Sequence, residues 1–477
     1  MAGLYTSANS SAAHATGGAD DARTADAQAR LWFSSALLES GWAQDVRLTI
    51  KAGRIGRIEV GVPAGAQDER HAVGVPGIPN VHSHAFQRAM AGLTERATTV
   101  ADNFWSWREA MYRLVGRIGP EELEAISAFA YMEMLEAGFT RVAEFHYLHH
   151  DLEGRPYANL AESAERIVAA ASEAGLGLVL LPVLYAHANF GGTEPQPTQR
   201  RFVNDVDGFA RLLEGSRRAA KALDGATVGV AAHSLRAVAP EELAAIHSMG
   251  TPFHIHVAEQ TKEVDDCLAW CGERPVQWLL NHVQVDERWC LVHATHVTPE
   301  ELERVAKAKA VVGLCPLTEA NLGDGVFPAS VFRAAGGTYG IGSDSNVLID
   351  AAEELRTLEY AQRLTRRKRN VLSAGEERST GRALFEAAVQ GGARALGATD
   401  ALLREGAEAD LVSLATDHPS LAHRHGDALL DGWIFAARGR VVDCVWRRGR
   451  KRVSGGIHVA RAALQARYLQ ALAGLLA

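Results

Sequence analysis

Between residues 74 and 342 the chain presents eight short apolar runs in series, each separated from the next by a stretch with helical start and stop signals. The runs cover 74–81, 141–145, 177–184, 227–232, 252–257, 289–293, 310–314 and 338–342. Strand-length apolar runs that alternate with helices make βαβ units, because strands joined in parallel need a crossover between them. Pro120-Glu121-Glu122 opens one helix that should end at Gly138. Thr298-Pro299-Glu300-Glu301 opens another with a capping box from Thr298 to Glu301. Eight such units predict a closed (β/α)8 TIM-type barrel rather than an open sheet, and that fold does its chemistry at the C-terminal ends of its strands.

The flanks read differently. Residues 31–38 and 46–62, with Gly53 and Gly56 as turn residues, predict short antiparallel strands. The same texture returns at 409–415 and 432–453, including Trp433-Ile434-Phe435-Ala436-Ala437 and Val441-Val442-Asp443-Cys444-Val445-Trp446. We therefore expect a small β-sandwich built from both ends (30–73 and 403–456) around a barrel at 74–402, then a C-terminal helix at 457–477. A length of 477 residues suits one large barrel with a smaller attached domain. Residues 1–29, rich in Ala, Ser, Thr, Gly and Asp without a basic or apolar leader segment, predict a disordered extension. The stretch 189–200 is expected to be a loop over one end of the barrel.

A net charge of -8 argues against a nucleic-acid or membrane-surface partner. The basic runs at 366–369 and 447–452 read as solvated surface. No window reaches 18 uninterrupted apolar residues, so no membrane span is expected. The five cysteines are odd in number and show no C-x-x-C spacing, which points to a reducing, cytoplasmic setting.

Several predicted strands end in ionisable residues. The first runs into Val81-His82-Ser83-His84, where alternation puts both imidazoles on one face. The fifth ends Phe253-His254-Ile255-His256-Val257-Ala258-Glu259, the sixth Leu291-Val292-His293-Ala294-Thr295-His296, and the eighth Gly342-Ser343-Asp344-Ser345-Asn346. Each has a plain structural explanation by itself, and an Asp after a strand is commonly a helix cap. Jointly, at the rim of the expected barrel, they form a set suited to a divalent metal such as Zn²⁺ with a position left for water. His254 and His256 compete for one place in that set.

This arrangement resembles the amidohydrolase superfamily from about residue 31 onward. The matching pieces are residues 76–84, His256-Val257-Ala258-Glu259, His293, Ser343-Asp344 and Glu405-Gly406-Ala407-Glu408-Ala409-Asp410-Leu411-Val412. The resemblance implies that His82, His84, His256 and Asp344 bind the metal, the H-x-x-E pattern selecting His256 over His254. It further implies that Asp344 takes a proton from the attacking water, while Glu259 and His293 move protons and stabilise the attacked centre. None of the lysines falls at a barrel strand end, where binuclear members commonly carry a bridging carboxylated lysine. Glu144 is then a buried structural acid and one divalent ion, Zn²⁺ for preference, is expected.

Three further segments bear on substrate: Phe104-Trp105-Ser106-Trp107-Arg108 in a long loop after strand one, His146-Tyr147-Leu148-His149-His150 after strand two, and His233-Ser234-Leu235-Arg236 after strand four. They resemble the formimidoylglutamate deiminase family. That resemblance implies hydrolysis of N-formimidoyl-L-glutamate, a step of histidine degradation, with Gln87, Arg108, Tyr147, His233 and Arg236 around a dicarboxylate. Guanidinium forks suit carboxylates. An aminohydrolase acting on a purine, pterin or S-adenosyl compound is the alternative, and needs fewer cationic anchors. A scaffold that has lost catalysis would lack the ligand set. Relatives suggest a homodimer.

Overall fold

The computed structural model describes residues 29–97, 102–373, 375–398 and 401–477. Apart from Ala29, which opens the first strand, the extension expected at 1–29 lies outside the described residues. The predicted barrel is present. Its strands are Ile78–Ser83, Phe139–His146, Gly177–Leu184, Val230–Ser234, Phe253–Val257, Trp289–His293, Val311–Leu314 and Thr338–Ile341, each parallel to the next. Strand eight returns to strand one. Ser83 bridges Asp344 in parallel, Asp344 N donates to His82 O at 3.0 Å, and His84 N donates to Asp344 O at 2.9 Å. Gly342 permits this closure, because a Cβ there would sit 2.8 Å from the backbone N and O of His82.

Helix boundaries follow the chain's capping chemistry. In Pro299–Ala308, Glu301 N donates to Thr298 Oγ1 at 3.2 Å, and Thr298 N donates to Glu301 Oε2 at 2.7 Å, the expected reciprocal box. Pro120–Glu136 begins on its proline and gives way at Gly138, whose φ of 93° suits glycine.

Three expected strands differ. The run at 74–81 belongs to two sheets. Glu69–Pro76 pairs in the terminal domain and Ile78–Ser83 in the barrel. The crossing is at Gly77, where a Cβ would lie 2.2 Å from Thr140 Cγ2. Residues on both sides of Gly77, from Val75 to Val81, are buried and mostly apolar, so hydropathy does not mark the boundary. The run at 227–232 breaks at Gly229 into Thr227–Val228 and Val230–Ser234, since residue 229 packs against the carbonyl of Pro252. Trp433 to Ala437 is not a strand. It sits in a wide helical turn, Gly432–Ala436, with Trp433 buried against Phe385 and beside Gly138. Aromatic and β-branched content expresses a need for burial, which a helix meets equally well when its neighbours are helices.

The terminal strands form one eight-stranded sheet in which Ala29–Leu38 pairs in parallel with Glu69–Pro76 and the other neighbours are antiparallel. The sheet folds over itself, so that Ile50, four strands away from Val442–Arg447, approaches Gly449 closely. Between the two arms lies a separate apolar core that includes Leu31, Phe33, Leu48, Ile55, Leu411 and Trp446, as expected of a sandwich. Its last strand, Ile457–His458, takes the first residues assigned to the C-terminal helix, which runs Arg461–Leu476. The return segment around Asp410 ties the two domains together. Arg141 of barrel strand two donates from Nε to Asp410 Oδ2 at 2.8 Å. Arg447 Nη1 reaches Glu408 Oε2 at 2.8 Å and Asp410 Oδ1 at 3.0 Å. Gly77 N donates to Asp410 O at 3.1 Å.

Candidate active site

Three imidazoles and one carboxylate meet at the barrel seam. His82 Nε2 lies 3.2 Å from His84 Nε2 and 2.9 Å from His256 Nε2. Asp344 Oδ1 is 3.5 Å from His82 Nε2 and 3.4 Å from His84 Nε2. His84 Nδ1 donates to Phe145 O and His256 Nδ1 to His233 O, both at 2.9 Å. Those carbonyls fix the tautomers of His84 and His256, so both of these rings turn an Nε2 lone pair toward His82 Nε2. Burial pulls the His82 imidazole down to about 3, and it keeps His84 low and His256 well below its usual value. These rings are therefore neutral ligand-type donors.

Imidazole nitrogens gathered within about 3 Å of one another suit a shared cation. Zn–N distances of roughly 2.0–2.1 Å set tetrahedral edges near 3.4 Å, in the range of these separations. The residues present fit a divalent ion, and His82, His84, His256 and Asp344 could hold it. His82, His293 and Asp344 also cluster within 4.8 Å. His293, however, donates from Nδ1 to Glu319 Oε1 at 3.2 Å, and although burial opposes it, Glu259, Glu319 and Asp344 push its imidazole up to about 10. The bond to Glu319 leaves His293 Nε2 facing Glu259 and Asp344, a placement suited to carrying a proton. Asp344 is held well below the carboxylate range by the surrounding imidazoles despite its burial.

His254 does not join the cluster. Strand five slips register between Ile255 and His256, and His254 Nε2 donates to Ala395 O at 2.8 Å. Glu144 stays apart as well. It accepts Ala85 N at 2.7 Å, burial pushes its carboxyl up to about 8, and it belongs to none of the clusters of metal-capable side chains among the described residues.

Glu259 points its Oε1 to within 3.8 Å of His293 Nε2, and His293 Nε2 is 3.7 Å from Asp344 Oδ2. Burial, only partly offset by His293, pushes the Glu259 carboxyl up to about 7, which lets it hold or release a proton near neutrality. Ala258, His293, Ala294, Asp344 and Asn346 all adopt positive φ between 43° and 66°. Such strain persists where surrounding bonds over-determine the backbone, typically at functional sites.

Above this cluster opens a pocket lined by Gln87, Arg108, Tyr147, His233 and Arg236, together with His84, His256, Glu259, His293 and Asp344. The structure thus brings together the residues expected at the substrate. Arg108 sits not in a loop but on a helix, Phe104–Val115, capped by Asn103, whose side chain accepts Trp105 N at 2.9 Å. Phe104, Trp107, Arg108, Met111 and Tyr112 fall at helical spacing, so one face of that helix becomes a pocket wall. The Arg108 guanidinium lies 4.5 Å from the Trp105 ring centre, with Arg236 at 5.9 Å from the same ring. Arg108 makes no ion pair among the described residues, and its buried Nε has no hydrogen-bond partner there. Gln87 Nε2 donates to Tyr147 Oη at 3.0 Å, leaving Gln87 Oε1 without a partner. His149 and His150 of the second motif instead donate to Val183 O and Val203 O and serve the frame.

Sequence reasoning missed Glu319, Glu263, Tyr185 and Phe202. Glu319 accepts Cys315 N at 2.9 Å just after strand seven, and that strand-end position was its only available signal. Tyr185, at the end of strand three, has a similar signal. It accepts Gln199 Nε2 at 2.6 Å, from within the expected loop at 189–200.

Comparison with known proteins agrees with this geometry. Residues 73–452 match the amidohydrolase family, and residues 32–72 match the formimidoylglutamate deiminase HutF N-terminal domain. A formimidoylglutamate deiminase of Pseudomonas aeruginosa is 51% identical over 450 residues, covering 94% of this chain and 99% of its own. An 8-oxoguanine deaminase of the same organism is 29% identical, covering 86% and 88%. A crystal structure of an amidohydrolase from Brucella melitensis superposes with a TM-score of 0.92 at 56% identity, covering 94% of this chain and 100% of that one. The chain belongs to the amidohydrolase family, in the branch that includes formimidoylglutamate deiminase.

Proposed function

We propose that this enzyme hydrolyses N-formimidoyl-L-glutamate to N-formyl-L-glutamate and ammonia. The observation that carries this reading is the pair of guanidiniums, Arg108 and Arg236, beside one indole ring in the same pocket that His84, His256 and Asp344 line. Two cations in one pocket suit a substrate with two carboxylates and have no task on a neutral purine. The Pseudomonas relative bearing that activity supports it.

One divalent cation, Zn²⁺ for preference, is proposed on His82, His84, His256 and Asp344. When bound it supplies Lewis acidity that brings the pKa of water toward ~7. Asp344 accepts the proton of the attacking water. The formimidoyl carbon gains the C–O bond, and Glu259 and His293 stand where they can protonate the nitrogen that leaves as ammonia. Collapse of the tetrahedral carbon breaks that C–N bond and leaves the formyl group. Arg108, Arg236, Gln87, Tyr147 and His233 orient the substrate so that this carbon faces the cluster. We further propose a cytoplasmic homodimer working in histidine degradation. The five cysteines, all free thiols, support the reducing compartment, and light scattering of the purified protein tests the dimer.

The deciding assay is ammonia release from N-formimidoyl-L-glutamate beside guanine, 8-oxoguanine and adenosine. Turnover of the formimidoyl compound at least a hundredfold above the purines is expected; preference for a purine overturns the reading.

A further inference from the structure

Glu263 has no part in the mechanism above, yet it is 1% exposed and touches two of its members. It lies in the first turn of the helix Thr261–Cys271, and its carboxylate reaches backward over the end of strand five. Oε1 accepts Ala258 N at 3.0 Å and Oε2 accepts Glu259 N at 3.2 Å. Oε2 also stands 3.8 Å from Arg236 Nε, a buried guanidinium nitrogen with no hydrogen-bond partner among the described residues. Ala258 between them is held at a φ of 52°, a conformation that alanine adopts only under constraint. The other end of that residue is fixed too, since Ala258 O accepts His296 N at 3.0 Å.

We propose that Glu263 is a positioning residue with two duties: it locks the strained turn that aims Glu259, and it counterbalances Arg236 until a substrate carboxylate takes up that guanidinium. This rests on the functional reading above. A carboxylate is the one side-chain group that meets both duties at this distance. Glutamine would have to turn its amide NH2 toward a backbone N–H or toward Arg236, and aspartate is one methylene too short to span the same partners. The charge acts on binding, because it competes with the incoming carboxylate for Arg236. The two backbone bonds act on turnover, because they set where the Glu259 carboxyl stands.

The duties separate in the kinetics. Glu263→Gln should lower kcat on N-formimidoyl-L-glutamate by on the order of 10²-fold, the scale of an ångström's misplacement of a reacting group. It should also lower KM, since Arg236 is released to the substrate. Glu263→Asp keeps the charge and loses the reach, so kcat should fall without any fall in KM. In an Arg236→Met background the KM effect of Glu263→Gln should vanish while its kcat effect remains. A residue that merely supports the fold would raise KM and lower kcat together in both variants. That outcome, or an unchanged kcat in Glu263→Gln, overturns the proposal. Hydrogen exchange followed by mass spectrometry needs no substrate. Peptides spanning 258–263 should exchange faster in either variant than in the wild type, and equal exchange overturns the proposal as well. Absence of turnover by the wild type would instead refute the functional reading, leaving the exchange result to judge Glu263.

Discussion

Arg108→Met is the sharpest perturbation of the proposed substrate pocket. Arg108 has no internal counter-charge among the described residues, so its removal leaves no protein carboxylate stranded. Within the chain its guanidinium lies over the Trp105 ring at 4.5 Å and the Tyr112 ring at 5.5 Å. A cation–π contact at a partly exposed site contributes roughly 0.5–1 kcal/mol, so the melting temperature should scarcely move. Binding is another matter, because a substrate carboxylate drawn into this pocket would lose its charged partner. Truncating one side of such a pair costs roughly 2–5 kcal/mol. At about 1.4 kcal/mol per tenfold, kcat/KM on N-formimidoyl-L-glutamate should drop ~30-fold to several-thousand-fold. The assay compares that substrate with two formimidoyl amino acids, one lacking the α-carboxylate and one the side-chain carboxylate. Arg108→Met should be nearly silent on whichever analogue lacks the group that Arg108 meets, and Arg236→Met should be nearly silent on the other. Arg236→Met should also lose some thermal stability, because it strands Glu263. Equal losses on all three substrates, or none, would make the arginines structural and remove the basis for a dicarboxylate.

Other consequences can be measured directly. Asp344→Asn should keep its fold yet lose turnover by on the order of 10²-fold or more, because an amide cannot accept the proton from water; near-normal kcat in a folded variant places the base elsewhere. Elemental analysis should find about one divalent ion per chain, and chelation should abolish turnover and lower the melting temperature, both restored by Zn²⁺. Close to two ions per chain would return Glu144 to the site. Asp410→Asn should destabilise the protein at neutral pH by roughly 3–5 kcal/mol, since it breaks a buried cluster with Arg141 and Arg447. Burial raises the Asp410 pKa, but Arg447 and Arg141 outweigh that and hold it below the usual value. A depressed folded-state pKa contributes stability that is present above the unfolded-state pKa of about 3.9 and lost as pH falls through the folded value. The gap in melting temperature between wild type and Asp410→Asn should therefore stay constant from pH 7 to about pH 5 and narrow below pH 4; a gap that widens in acid would contradict the assignment.

Much of this protein was legible in one dimension. Strand and helix periods are local, so the βα alternation, the Thr298 capping box and the exit at Gly138 could be read directly. The placement of His82, His84, His256, His293 and Asp344 at strand ends followed, because a closed parallel barrel presents all its strand ends at one rim. What the chain order could not settle was where buried apolar residues find their partners. The run through Gly77 serves two sheets, and the Trp433 segment turns into a helix, because hydropathy reports the need for burial and not the neighbour that provides it. The H-x-x-E pattern already selects His256 over His254, and the folded chain supplies the physical reason, since a register slip and the carbonyl of Ala395 draw His254 away. Glu263 carries no signal in isolation, and Glu319 only its place shortly after strand seven. A carboxylate in a helix's first turn is ordinary, and its role depends on which backbone amides and cations the tertiary fold brings within about 4 Å, where electrostatic interactions in a dry interior become strong.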